Sequence, residues 1–129
     1  MKPLPIYLDT HIVAWLAQGL TTKISEKTLR QMDSADLLVS PIVQLELEYL
    51  FEIKRIEISS RDILLKVEQE LNIRVCNFPF ATIAKVALDE KWTRDVFDRI
   101  IVAHAKSNAF SSLVSTDDNI QKYYPKTIA

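Results

Sequence analysis

Four carboxylates in this 129-residue chain stand where chemistry could use them. Asp9 follows the apolar run Ile6-Tyr7-Leu8, and Asp117 comes soon after Leu113-Val114. Glu46 has Ile42 and Leu50 at i−4 and i+4, Val43 at i−3 and Ile53 at i+7, so in a helix it shares the apolar face. Asp98 has Ile101, Val102 and Ala105 at i+3, i+4 and i+7, which turns it inward as well. Glu48 lines up instead with Gln44 and Glu52, a stripe expected to face solvent. A carboxylate aimed at a core is costly unless it is paired, hydrogen-bonded or metal-bound. Two like charges about 4 Å apart repel by about 4 kcal/mol at an effective dielectric of about 20, so four acids gathered together need counter-charge. Oxygen-only ligands suit a hard divalent cation, Mg²⁺ or Mn²⁺, of the kind that generates hydroxide and holds the leaving oxygen in phosphodiester cleavage.

Taken one at a time, most of these acids also have a plainer use. Asp9, Asp95 and Asp117 stand at helix starts, where a carboxylate caps free N–H groups, and Asp98 lies in a first turn, where it complements the helix dipole. Thr10, Ser40 and Thr116 flank the acids and serve either as hydrogen-bond partners for them or as caps. Arg99, beside Asp98, has two roles open: a partner for a site carboxylate or scissile phosphate, or an ordinary ion pair. His11 and His104 lack a cysteine or second histidine at ligand spacing and are expected on a helix surface or in the core. Trp15 and Trp92 are expected in the core or an interface rather than as stacking platforms.

Alternating strands and helices must position these residues. Strands are expected at Ile6 to Leu8, Leu37 to Val39, Ile73 to Cys76 and Ser112 to Ser115, with a fifth near Ile128. Helices are expected from Asp9-Thr10 to near Gly19, after Ser25, from Ser40-Pro41 to about Arg55, from Ser59 or Ser60 to Leu71, over Ala81 to Lys91 and Asp95 to Asn108, and after Thr116. Such βαβ units favour a parallel sheet covered on both faces, with ligands outside the carboxyl ends of its strands. In a doubly wound order, Asp9, Glu46, Asp98 and Asp117 converge at one edge.

Composition narrows the function classes further. Hydrophobic residues make up 48% and charged residues 26%, the signature of a folded domain, and residues 1–129 read as one uninterrupted unit. Sixteen Lys and Arg against 17 Asp and Glu leave a net charge of −1, so a polyanion has to be held by local charge or by metal. Gly19 is the one glycine, which excludes Gly-rich phosphate loops. Cys76 stands alone, excluding an internal disulfide and a multi-thiolate zinc site and suiting a reducing cytoplasm. Pro3, Pro5, Asp9 and His11 interrupt the early apolar stretch that follows Lys2, so no signal peptide or membrane span is expected.

With Tyr7-Leu8-Asp9-Thr10-His11, Val39-Ser40-Pro41 followed by Glu46, Arg94-Asp95-Val96-Phe97-Asp98-Arg99 before Ile100-Ile101-Val102-Ala103, and Leu113-Val114-Ser115-Thr116-Asp117, in that order, the chain resembles the PIN-domain nucleases. Within them it resembles the VapC-like toxins of toxin–antitoxin pairs. Val96 stands where that subgroup often has proline, and Leu45 where it commonly has an aromatic residue. The resemblance implies a short parallel sheet of four or five strands, and Mg²⁺ or Mn²⁺ held by Asp9, Glu46, Asp98 and Asp117 for endoribonucleolytic cleavage, with Asp95 as an accessory acid. It further implies RNA as substrate, an antitoxin protein as partner and a homodimer. Arg94 and Lys85 are candidates to line the RNA path, and the helix from Gln44 to Ile53 with Leu64 and Leu65 is a candidate partner surface. Two other readings stand beside this one: the same fold used only to bind RNA or protein, and a receiver-like phosphoacceptor domain. The latter would need an acidic pair after the first strand, where Asp9 is followed by Thr10.

Overall fold

Five short strands, β1 (Pro5–Leu8), β2 (Asp36–Val39), β3 (Arg74–Val75), β4 (Ser112–Val114) and β5 (Thr127–Ile128), join in one sheet of order β3-β2-β1-β4-β5. Every neighbouring pair is parallel, and Ile6 lies opposite Leu37 on one side and Ser112 on the other. The computed structural model describes residues 3–129; Met1 and Lys2 lie outside the described residues. Successive residues of a strand point to opposite faces, and Tyr7 and Leu8, like Leu113 and Val114, are all buried, so helices cover both faces at the sheet centre.

Among the described residues seven α-helices do this covering: α1 (Thr10–Ala17), α2 (Glu26–Asp33), α3 (Pro41–Glu52), α4 (Ser60–Leu71), α5 (Phe80–Ala87), α6 (Val96–Ser107) and α7 (Asp118–Tyr123). None is long and apolar enough to cross a membrane. Their starts follow the capping chemistry read from sequence, with side chains of Asp9, Ser25, Ser40, Ser59, Asp95 and Asp117 each accepting from a first-turn N–H. Gly19 supplies a left-handed φ of 72° just beyond α1.

Several boundaries differ from expectation, those of three elements for a visible reason. Helix α3 stops at Glu52 rather than Arg55, because Lys54 turns left-handed at φ 64° and the Arg55 N–H folds back to Leu50 O at 2.8 Å. Helix α5 covers Phe80–Ala87 rather than Ala81 to Lys91; the amides of Leu88, Asp89 and Glu90 reach back only three residues, and the α-helical ladder ends there. Strand β3 is two residues long because the Ile73 N–H is still engaged by Val67 O of α4.

The main core gathers Tyr7, Leu8, Val39, Leu47, Ile63, Ile101 and Leu113 around the sheet. Trp15 and Trp92 pack against it, as the core reading of the tryptophans required. A second, smaller cluster of Ile83, Ala87, Ile100 and Ala103 joins α5 to α6, with Ile42 of α3 reaching into it. The sheet order reverses between β1 and β4, so their carboxyl ends flank the crevice where an open α/β sheet binds ligands.

Candidate active site

The first acid is placed by the sheet itself. The Asp9 N–H donates to Val114 O at 3.0 Å, extending the β1–β4 pairing by one residue, and its side chain then turns to cap α1. Oδ1 accepts from the Thr10 N–H at 2.8 Å and Oδ2 from the Ser115 hydroxyl at 2.7 Å, with the residue only 5% exposed. Burial drives the Asp9 proton affinity up; the two hydrogen bonds and the nearby His11 oppose it, and Asp117 adds to it.

Ser115 ties this acid to the next. Its hydroxyl donates to Asp9 and accepts from the Asp117 N–H at 3.1 Å, so one buried side chain sets the turn from β4 into α7. Asp117 itself is exposed, and its Oδ1 caps α7 by accepting from the Ile120 N–H at 2.9 Å. The residue that bridges the acids is thus Ser115, where the sequence pattern points to its neighbour Thr116. Position carries a signal for it: a hydroxyl ending a buried run, two residues before an acid, has both neighbours within reach. Thr116 is exposed and, among the described residues, bonds to no acid.

Glu46 comes from the middle of α3 and is half-buried, as its helical phase required; the Thr10 hydroxyl donates to its Oε1. Desolvation, reinforced by the charges of Asp9, Asp95 and Asp117, pushes Glu46 up to about 7 against the pull of Thr10. Asp98, in the first turn of α6, is raised to about 8 by desolvation and then by Asp95, Asp9, Asp117 and Glu46, in that order. Asp95 is exposed and accepts from the Asp98 N–H at 3.1 Å, so the two acids share one helix start.

Other residues that the sequence marks as candidates are engaged elsewhere, each for a visible reason. The Arg99 guanidinium donates to Ala87 O at 3.0 Å and Leu88 O at 3.2 Å, closing the end of α5 instead of pairing with a carboxylate. Ser40 caps α3 and meets His104 Nδ1 at 3.1 Å, which directs it away from the acids. Glu48 is no free solvent-facing acid: it is half-buried and accepts from the Ser60 N–H at 3.2 Å, because α4 starts against α3. His11 is exposed and His104 buried, the surface and core positions expected of them. Lys85 and Arg94 are exposed cations, Arg94 donating to Lys91 O at 3.3 Å.

Among the described residues no three acids close into a ready-made ligand shell. Their charges nonetheless act on one another: beyond desolvation, which is the larger cause, the neighbouring acids raise the proton affinities of Glu46 and Asp98. An all-oxygen donor set of this kind fits a hard divalent cation, which Asp9, Glu46, Asp98 and Asp117 could hold.

A parallel sheet whose order reverses between β1 and β4, with acids just beyond the carboxyl ends of those strands, is the architecture of an open α/β domain. The PIN domain family matches residues 6–126, and the chain belongs to that family. Solved structures carry the same fold. One is VapBC2 from Rickettsia felis bound to a DNA fragment from their promoter, similar at TM-score 0.64 and 15% identity over 97% of this chain and 96% of that one. Another is a toxin–antitoxin complex from Klebsiella pneumoniae, at TM-score 0.62 and 14% identity over 96% of each chain. No curated protein matches the sequence.

Proposed function

We propose that this chain is a divalent-metal-dependent endoribonuclease, the toxin of a toxin–antitoxin pair. The observation that carries the reading is the mutual electrostatic influence of Asp9, Glu46, Asp98 and Asp117, in which burial first and the neighbouring acids second push Glu46 up to about 7 and Asp98 up to about 8. Carboxylates that serve only as caps are satisfied by the amides they accept from, whereas the proton affinity of these two is raised by desolvation and then by the neighbouring acids. Mg²⁺ or Mn²⁺ supplies, when bound, Lewis-acid activation of water and a clamp on phosphodiester oxygens. Thr10 and Ser115 orient Glu46 and Asp9 through their hydroxyls, and Asp95 holds the α6 start that presents Asp98. Arg94 and Lys85 are exposed cations suited to the RNA backbone beyond the crevice.

The partners follow from the same reading. Similarity of fold to VapBC2 and to the Klebsiella complex supports an antitoxin that holds the activity in check. Leu45, Tyr49 and Leu65, exposed at 63%, 49% and 55% on α3 and α4, are the surface we assign to protein contact, with the antitoxin or with a second copy in a homodimer. The activity belongs in the cytoplasm, where RNA is found and the single Cys76 stays reduced.

The deciding experiment incubates defined RNAs with Mg²⁺ or Mn²⁺, with and without chelator. Asp9→Asn, Glu46→Gln, Asp98→Asn and Asp117→Asn should each abolish cleavage while the fold survives. Glu48→Gln keeps an acceptor for Ser60 and should cleave normally. Wild-type cleavage by Glu46→Gln would defeat the assignment of Glu46.

A further inference from the structure

His104 is spent in a place where an apolar side chain would be simpler. It is 1% exposed, its ring tilts against Tyr7 at 5.1 Å and stacks on Phe78 at 6.1 Å, and its Nε2 is buried with no partner. Its one polar contact is Nδ1 to the Ser40 hydroxyl at 3.1 Å. Ser40 Oγ accepts from the Ile42 N–H and makes its one further hydrogen bond with Nδ1, and burial keeps the imidazole neutral. Burying a ring nitrogen without a partner is unfavourable. Packing alone does not account for a histidine here.

Its position along α6 does. Ser40 meets His104 at one end of the α3–α6 contact, Ile42 reaches the Ile100 and Ala103 cluster in the middle, and Tyr49 packs on Phe97 at 6.0 Å at the other end. Residue numbers rise on one helix as they fall on the other, so the pair is antiparallel and these three contacts mark its register. Glu46 lies six residues beyond Ser40 and Asp98 six before His104, which brings the two acids level across the pair. A slip of one residue would move one acid about 1.5 Å along the axis and swing it about 100° around the helix. The same ring rests on Tyr7, two residues before Asp9.

We propose that His104 is a positioning residue that, through Ser40, sets the α3–α6 register and so the placement of Glu46 opposite Asp98. The inference rests on the nuclease reading for its kinetic consequence only. His104→Leu keeps the packing and removes the contact to Ser40, whereas His104→Asn offers an amide oxygen near the position of Nδ1. In the full-length protein, His104→Leu should lower kcat for RNA cleavage about 10- to 100-fold with KM little changed, as misplacement far from the reacting atoms does. It should raise the Mn²⁺ concentration needed for half-maximal thermal stabilisation. Nuclear Overhauser contacts between the Tyr49 and Phe97 rings, recorded without metal, should weaken. His104→Asn should restore most of each property, and in a Ser40→Ala background His104→Leu should add little.

Wild-type kcat, Mn²⁺ midpoint and ring contacts in His104→Leu would overturn the proposal. Undiminished loss in the Ser40→Ala background would overturn the route through Ser40. Should His104→Leu fail to fold, the same readouts on His104→Asn and Ser40→Ala decide, the proposal requiring a near-normal protein from the first and an impaired one from the second. A wild-type protein that neither binds Mn²⁺ nor cuts RNA would end the nuclease reading, and the ring contacts, which need neither, would still decide the register.

Discussion

A carboxylate held among apolar side chains and other acids binds its proton more tightly than it would in water, and that preference is a statement about stability. Glu46 and Asp98 keep protons in the fold that the unfolded chain has already released, so without metal the native state is favoured at low pH. That contribution is lost as pH rises from the ordinary carboxylate range through about 7 and about 8. His104, lowered to about 4 by burial, has the opposite sign: the unfolded chain gains a proton below 6.5 that the fold excludes, and stability falls there as pH drops. The interval from about pH 6.5 to about pH 8 therefore reads the acids alone. In chelator, the wild-type melting temperature should fall across it, and Asp98→Asn should flatten the curve and melt higher at its alkaline end. Parallel curves for the two proteins would show that Asp98 is not under this strain.

Among the elements, α5 depends most on a single side chain from elsewhere. It has no side-chain N-cap, and its last carbonyls are met by the Arg99 guanidinium of α6. Charge-assisted hydrogen bonds of this kind contribute about 1.5–3 kcal/mol, less where water competes. Arg99→Ala should thus cost about 1–2 kcal/mol in denaturant unfolding while cleavage per folded molecule stays near wild type. A large loss of kcat at unchanged stability would return Arg99 to the scissile phosphate. The comparable device at α4 is the Glu48 carboxylate on the Ser60 N–H, which joins α4 to α3 beneath the exposed Leu45 and Leu65.

Across the whole molecule, the proposed function requires a chain of net charge −1 to hold RNA by metal and a few local cations. If, as proposed, Mn²⁺ binds the assembled acids and not the unfolded chain, it should raise the melting temperature, by the equivalent of about 2.7 kcal/mol at a hundredfold excess over Kd. No shift would mean that the carboxylates do not form a cation site. An uncleavable RNA analogue bound in the presence of metal should show a shallow salt dependence, a log–log slope of about −2 to −3, because only a few phosphates meet cations. A steep slope would require a basic surface formed across two copies, and tight binding in chelator would favour the reading in which the fold binds RNA without cutting it.

Local chemistry determined much of this protein before any tertiary contact was known. The cap before each of α1, α3, α4, α6 and α7, the apolar runs of the strands and the inward phase of Glu46 and Asp98 are all set by neighbours within a few residues, and all appear in the fold. Helix ends were less legible, since α3 and α5 stop where a left-handed Lys54 and short-reaching amides interrupt the ladder, which no period in the sequence marks. Only the tertiary structure decided what the polar side chains near the acids do. Ser115 bridges Asp9 and Asp117 because β4 lies beside β1, Ser40 is turned to His104, Arg99 to the end of α5, and Glu48 to the start of α4. Their partners lie up to 106 residues away in sequence, as Ser115 does from Asp9. A side chain's phase tells which way it faces; what waits there depends on how the elements are packed.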